Sequence, residues 1–314
     1  MLLALTHLAL AQTVPPPMVN GSTTSDHPQV GSLVMYWSGQ GGGSFCSGTL
    51  IHPGWVLTAA HCVDAAESYD RQGADIYFWM APSVYDQSGL VDYATVGDYH
   101  THPTWTGELS GGDWDLGLLE LETEITSVDP MAVNQESLSG WEGTELTFLG
   151  YGVTSDNGNG GGIKRYTEIP IYEVANEVVY AYDNVQNLCS GDSGGAGLYQ
   201  DAAGDWSIVS VNSFVYSVQS GSTSCVGGGS GSARIDTAYD WIEELVPLDE
   251  VGYAPEALAV DDPNRVDTGD PSDPYDNGLD VEATGLLGCA QVPTQGVAWL
   301  GLLAGFGLLF RRRD

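Results

Sequence analysis

Positive charge is what this sequence has least of. Eight Lys and Arg residues stand against 42 Asp and Glu, a formal net charge of −34 at pH 7. A field of that sign repels the phosphate backbone of nucleic acid and any anionic membrane surface, so nucleic-acid binding is excluded as a function. Metal-ligand spacing is missing too. The chain has no C-x-x-C and no H-x-x-x-H, so a zinc site has no frame, and no ligand spacing locates a calcium site. Long amphipathic helical patterns are absent before about residue 236, and no internal repeat is evident. What is present is 42 glycines, 16 tyrosines and nine tryptophans, set in short apolar runs broken by turn residues. That pattern is of a mainly β protein. At 314 residues the chain can build one large domain or two small ones with an ample core.

The two ends read differently from the middle. Residues 1–11, "MLLALTHLALA", are apolar and finish on small residues, like the later part of a secretory signal cleaved near Ala11, although a basic start is missing. Residues 249–285 are rich in Asp, Pro and Gly and poor in large apolar side chains, the composition of a spacer without a core. Residues 296–310 carry no charge; as a helix at ~1.5 Å per residue they would reach about 22 Å, short for a ~30 Å hydrocarbon layer. Three arginines, Arg311, Arg312 and Arg313, close the run as a cytoplasmic stop would. Gly288-Cys289, apolar helix and arginine cluster together resemble the tripartite sorting tags of the MYXO-CTERM kind. That resemblance implies that Cys289 is a processing and anchoring point.

Five cysteines stand at 46, 62, 189, 225 and 289. In an exported chain an even set reads as a disulfide framework, and with Cys289 assigned to the tail four remain, with three possible pairings. "FCSGTLIHPGWVLTAAHCV" reads as two strands, Phe45 to Ile51 and Trp55 to Thr58, joined by the turn His52-Pro53-Gly54 and ending on His61. "GGDWDLGLLEL" sets aspartates 113 and 115 before alternating leucines, of which Leu116, Leu118 and Leu119 would enter a core. "LCSGDSGGAG" puts Ser193 between an aspartate and two glycines, which alone is no more than the vocabulary of a turn.

The three stretches together resemble the trypsin-like (chymotrypsin-family, S1) serine proteases. "TAAHC" is similar to the family's histidine motif, "DWDLGLLEL" to its aspartate and "GDSGG" to its serine, in the chain order of that class and not of subtilisins or α/β-hydrolases. The resemblance covers about residues 18–246. It implies an all-β fold of two packed six-stranded Greek-key barrels with a short C-terminal helix, and a catalytic triad of His61, Asp115 and Ser193, with Asp113 the runner-up aspartate. A serine hydroxyl is a poor nucleophile at neutral pH, so it needs a base at hydrogen-bond distance and an acid that fixes the base's tautomer. The backbone N–H groups of Gly191 and Ser193 would form the oxyanion hole. Asp192 would pair with the amino terminus freed by activation, and "MVNG" makes Met18 or Val19 that terminus. Disulfides Cys46–Cys62 and Cys189–Cys225 follow from the same family pattern.

By family register the pocket base is Asn187, Ser210 supports the triad aspartate, and Asn212 stands where the substrate channel has glycine. An uncharged base removes the reason to expect cleavage after Arg or Lys and favours small or medium uncharged P1 residues. The chain thus divides into a signal peptide (1–11), a pro-segment (12–17), a protease domain (18–247), an acidic linker (248–287) and a sorting or membrane tail (288–314). The expectation is an exported serine endopeptidase of the bacterial envelope, monomeric, without cofactor or metal, acting on a protein or peptide and tethered to the membrane by its tail. The alternative is a catalytically silent adhesion or binding module on a protease scaffold. Esterase activity without useful proteolysis is a third reading that shares the machinery.

Overall fold

Short β-forming runs separated by glycine-rich turns become fifteen strands in a computed structural model, which describes residues 18–109, 114–218, 225–251 and 287–288. In chain order they are β1 (Ser22–Thr23), β2 (Val30–Trp37), β3 (Gly41–His52), β4 (Trp55–Thr58), α1 (Ala60–Arg71), β5 (Asp75–Met80), β6 (Asp92–Thr101), β7 (Gly117–Leu121) and β8 (Ala132–Val133). There follow β9 (Glu145–Gly150), β10 (Arg165–Val174), β11 (Val178–Ala181), β12 (Ala196–Gln200), β13 (Trp206–Ser217), β14 (Gly228–Arg234), α2 (Tyr239–Leu245), a 3₁₀ turn at Leu248–Val251, and β15 (Leu287–Gly288).

Pairing resolves these into two barrels. The first is closed in the order β2-β3-β4-β7-β6-β5. The second runs β10-β11-β14-β13-β12-β9 and closes because β9 also pairs with β10, from Arg165↔Gly150 to Pro170↔Glu145. The protein is therefore all-β with two closed six-stranded barrels and a short C-terminal helix. Closure removes most of the open edges on which strands of other chains could add.

Period-two alternation decides which side chains fill the barrels. In β10, Thr167, Ile169 and Ile171 are buried while Glu168 is exposed, and in β7 Leu119 and Leu121 are buried on either side of exposed Glu120, while Leu118 is buried on the other face. Leu50, Leu57 and Leu118 of the first barrel belong to the same apolar cluster as Leu149, Leu198 and Ile208 of the second. Ile242 of α2 joins that cluster too. Burying leucines from both units in one cluster, at about 25 cal/mol per Å², holds their facing edges in register for the loops that carry the chemistry.

The strands expected at Phe45–Ile51 and Trp55–Thr58 are β3 and β4, with β3 longer at its start. Helix α1 departs from the expectation that helical pattern begins near residue 236. Its buried face is made of Ala60, Cys62, Val63 and Ala66, too small and too short to stand out as an apolar stripe. The signal, pro-segment, most of the linker and the tail with Cys289 lie outside the described residues. Among the described residues no helix is long and apolar enough to cross a membrane.

Candidate active site

His61 sits in the first turn of α1, and its position is set by Asp115. The Asp115 carboxylate accepts the backbone N–H of His61 through Oδ1 at 2.9 Å and faces the imidazole Nδ1 through Oδ2 at 2.7 Å. The first N–H groups of a helix have no partner within it, and Ala59 supplies no side-chain cap. Asp115 therefore caps α1 from the neighbouring loop and orients the ring with the same carboxylate. It lies directly before β7 and is wholly buried, while the His61 side chain is 10% exposed.

Burial works against ionisation of Asp115, but the facing His61 and the hydrogen bonds from His61 and Ser213 hold its carboxyl below the usual range. The donor from the second barrel is Ser213 Oγ, at 2.5 Å from Asp115 Oδ2. Ser213 also receives the hydroxyl of Ser193, whose Oγ donates to the Ser213 carbonyl at 3.5 Å. In this structure Ser193 makes no hydrogen bond to His61 among the described residues, and His61 Nε2 faces Cys62 Sγ at 3.6 Å. Such bonds are commonly long or unformed without substrate, and a rotation of the serine about χ1 is the kind of adjustment that forms them.

Ser193 is held at the junction of the barrels. Ser47 of β3 donates its N–H to the Ser193 carbonyl at 2.7 Å, and its Oγ donates to the Gly191 carbonyl at 2.9 Å. Gly191 has φ of 93°, a region that side-chain-bearing residues rarely adopt, and a Cβ there would meet Gly152 Cα at 3.0 Å. With Asp192 N–H bonded to Cys189 O, the N–H groups of Gly191 and Ser193 have no acceptor among the described residues. Asp192 is wholly buried; its Oδ1 accepts Gly152 N–H at 2.8 Å and its Oδ2 accepts Cys189 N–H at 2.9 Å. Burial pushes its carboxyl up to about 7, against the pull of those N–H groups and of Arg165.

Most of the residues singled out from the sequence converge here, and two do not. Cys46–Cys62 and Cys189–Cys225 are the disulfides. Met18 is buried, and Val19 pairs with Asn187, whose N–H donates to the Val19 carbonyl at 3.3 Å. Asn187 is buried and its Nδ2 donates to Cys225 O at 3.1 Å. Ser210 is not the residue on Asp115: its Oγ is buried without a hydrogen-bond partner among the described residues, and Ser213 Oγ donates to that carboxylate instead. Asn212 likewise does not face a substrate channel; its amide donates to Leu149 O at 3.0 Å and Asp192 O at 3.2 Å. The pairing of β13 is irregular between Gly197 and Leu198 on one side and between Asn212 and Phe214 on the other, where Ser213 is skipped in the register with β14, so simple alternation does not say which serine turns toward Asp115. Asp113 lies outside the described residues. Ser47 and Ser213 were missed, because serines on buried strands carry no signal of their own.

Among the described residues, two groups bring three potential metal ligands within 4.8 Å of one another. In the first, Cys46, His61 and Cys62, both sulfurs are joined to each other and offer no thiolate. The second is Asp98, His100 and Glu120, with Asp98 and Glu120 exposed.

Comparison with known proteins agrees with this geometry. A family model for trypsin matches residues 18–242. The chain is 29% identical over 201 residues to chymotrypsin-like elastase family member 1 of Homo sapiens, covering 59% of this chain and 75% of that protein. It is 27% identical over 205 residues to brachyurin of Leptuca pugilator, covering 63% and 86%, and 26% identical over 231 residues to trypsin 5G1 of Aedes aegypti, covering 67% and 79%. The barrels, the two disulfides and the extent of that match make this chain a member of the trypsin family, a serine endopeptidase.

Proposed function

We propose that the chain hydrolyses peptide bonds through an acyl-enzyme on Ser193, with His61 as general base and Asp115 as its orienting acid. The observation that carries this is the Asp115 carboxylate, which holds both the N–H and Nδ1 of His61 while Ser213 ties the same carboxylate to the strand beside Ser193. A proton on Nδ1 leaves Nε2 as the acceptor for the Ser193 hydroxyl as its oxygen attacks the substrate carbonyl. The carbonyl oxygen, becoming an oxyanion, is received by the N–H groups of Gly191 and Ser193, which have no acceptor among the described residues. His61 then returns the proton to the leaving amine, and water repeats the sequence to release the acyl group.

Specificity follows from what the Asn187 region offers. Its amide, the Cys189–Cys225 bridge and the Cys225 carbonyl present no carboxylate to a basic side chain. Small or medium uncharged P1 residues are therefore preferred over Arg and Lys, and elastin joins the substrate panel because several relatives carry the name elastase. Two disulfides suit an oxidising compartment. The enzyme is exported as a monomer, matures by cleavage before Met18 or Val19, and is tethered through its tail at Cys289.

The test is intact-mass labelling by a fluorophosphonate, beside Ser193→Ala. One adduct in the native chain and none in the variant supports the activated serine; a folded native chain without adduct refutes it. The second reading, an inert binding module, draws on the Ser193 hydroxyl turning to Ser213 O and not to His61. The same labelling decides between them.

A further inference from the structure

Of the four basic residues among those described, three lie inside the protein. Lys164, Arg165 and Arg234 are 2%, 4% and 8% exposed, and only the Arg71 side chain reaches solvent. Taking a cation out of water costs several kcal/mol unless partners replace the lost hydration. A chain that has so few cations on its surface keeps these three inside, and each has a local task. Arg234 pairs with Asp236 at 2.5 Å, and Lys164 donates to the carbonyls of His27 and Val30 at 3.0 and 3.2 Å.

Arg165 is different, since no carboxylate lies within ion-pair distance of it among the described residues. It begins β10 on the inward face, the face of Thr167 and Ile169. Its Nη1 donates to three backbone carbonyls, Gly160 at 2.6 Å, Ile163 at 3.1 Å and Gly152 at 3.2 Å. Gly152 is also the residue that donates its N–H to Asp192 Oδ1 at 2.8 Å. The two backbones are in close contact there, because a Cβ on Gly152 would stand 2.5 Å from Asp192 Cγ. One residue further on, Val153 N–H holds the Ser190 carbonyl at 2.8 Å. Loop 150–153 is thus a plate with Arg165 on one side and the Ser190–Ser193 turn on the other.

We propose that Arg165 is a positioning residue for the reaction: acting through Gly152, it fixes the Asp192 carboxylate and the Gly191–Ser193 backbone in a chain whose Met18 nitrogen is still in peptide linkage. The oxyanion loop is then ordered before any amino terminus is freed, and maturation at Met18 adjusts activity instead of creating it. The inference rests on the proposed roles of Gly191 and Ser193. Charge supports the geometry. Asp192 is the largest source of stabilisation for the Arg165 cation against its burial, and Arg165 in turn favours the ionised Asp192.

The experiment compares the full chain, its residues before Met18 intact, with the same chain processed at Met18. The unprocessed chain is expected to take a fluorophosphonate on Ser193 within about threefold of the processed rate. Arg165→Met is expected to lower kcat and labelling about 10- to 100-fold, the scale of a disturbed oxyanion donor, with KM within twofold. Arg165→Lys, which keeps the charge, recovers part of that loss, and in an Asp192→Asn background Arg165→Met costs much less. An inert unprocessed chain beside a reactive processed one overturns the proposal, as does a folded Arg165→Met that keeps kcat. Should Arg165→Met not fold, the unprocessed wild-type chain and Arg165→Lys decide. Inertness of both wild-type forms refutes the activity itself, and is recognised as such because processing then makes no difference.

Discussion

Ser213→Ala asks whether the second barrel contributes to the charge on Asp115. The hydroxyl sits 2.5 Å from Oδ2 of a carboxylate with no exposure to water, so nothing replaces it when it is removed. A hydrogen bond to a charged group is worth about 1.5–3 kcal/mol, and if the loss is felt in the transition state it lowers kcat/KM by about 10- to 100-fold at ~1.4 kcal/mol per decade. The carboxyl also titrates differently. Its folded value lies below its unfolded one, so the stability its charge provides is present above the unfolded value and lost as pH falls through the folded value. Without Ser213 the folded value rises and acid unfolding begins at higher pH. Ser210→Ala is the internal control: an orphaned buried hydroxyl is removed, so kcat/KM is expected to stay within about twofold of wild type and stability to hold or to rise by about 1 kcal/mol. The assay is hydrolysis of a peptide ester from pH 4 to 9 together with urea unfolding at each pH. Equal losses for the two variants, or a larger loss for Ser210→Ala, would refute the register assigned to β13.

Three other outcomes are expected. Gly191→Ala, strained at φ of 93°, should reduce kcat about 100- to 1000-fold with KM little changed, measured on the same ester. Removing Cys189–Cys225, which spans 36 residues, should cost about 4 kcal/mol and removing Cys46–Cys62, which spans 16, about 3 kcal/mol, so urea midpoints should fall in that order. Burial pushes the Lys164 ammonium down to about 8 from 10.5, so its burial penalty is full below pH 8 and vanishes above 10.5. Relative to Lys164→Met, wild-type stability should therefore rise by about 3 kcal/mol between pH 7.5 and 10.5; parallel curves would contradict the assigned burial.

The parts of this site that could be read in the sequence are those fixed by local chemistry. His61 is followed by its disulfide cysteine, Asp115 by the alternating strand it precedes, and Ser193 by the glycines its turn requires. Leu116, Leu118 and Leu119 are all buried as expected, Leu118 and Leu119 from opposite faces of β7. What escaped depended on distant partners. Ser210 and Ser213 both flank apolar residues, and only a bulge that can be seen once β13 is paired decides which one meets Asp115. Helix α1 escaped because its inner face is built of alanine, cysteine and valine packed against β7. Arg165 escaped because charged side chains are read as exposed, and its three carbonyl partners are brought together only by the loop from 152 to 163.

Lys164 is the one lysine in the whole sequence, and its Nζ is occupied by the carbonyls of His27 and Val30. For an acylating reagent that seeks primary amines, the folded enzyme therefore offers a single open target, its own α-amino group. A dye attached that way labels each molecule once, at a known place. It also tests the proposed maturation, since a terminus turned inward beside Asn187 would acylate slowly while an extended one would acylate at once. The scarcity of cations that sets the charge of this protein thus gives it a built-in chemical handle, requiring no engineered tag.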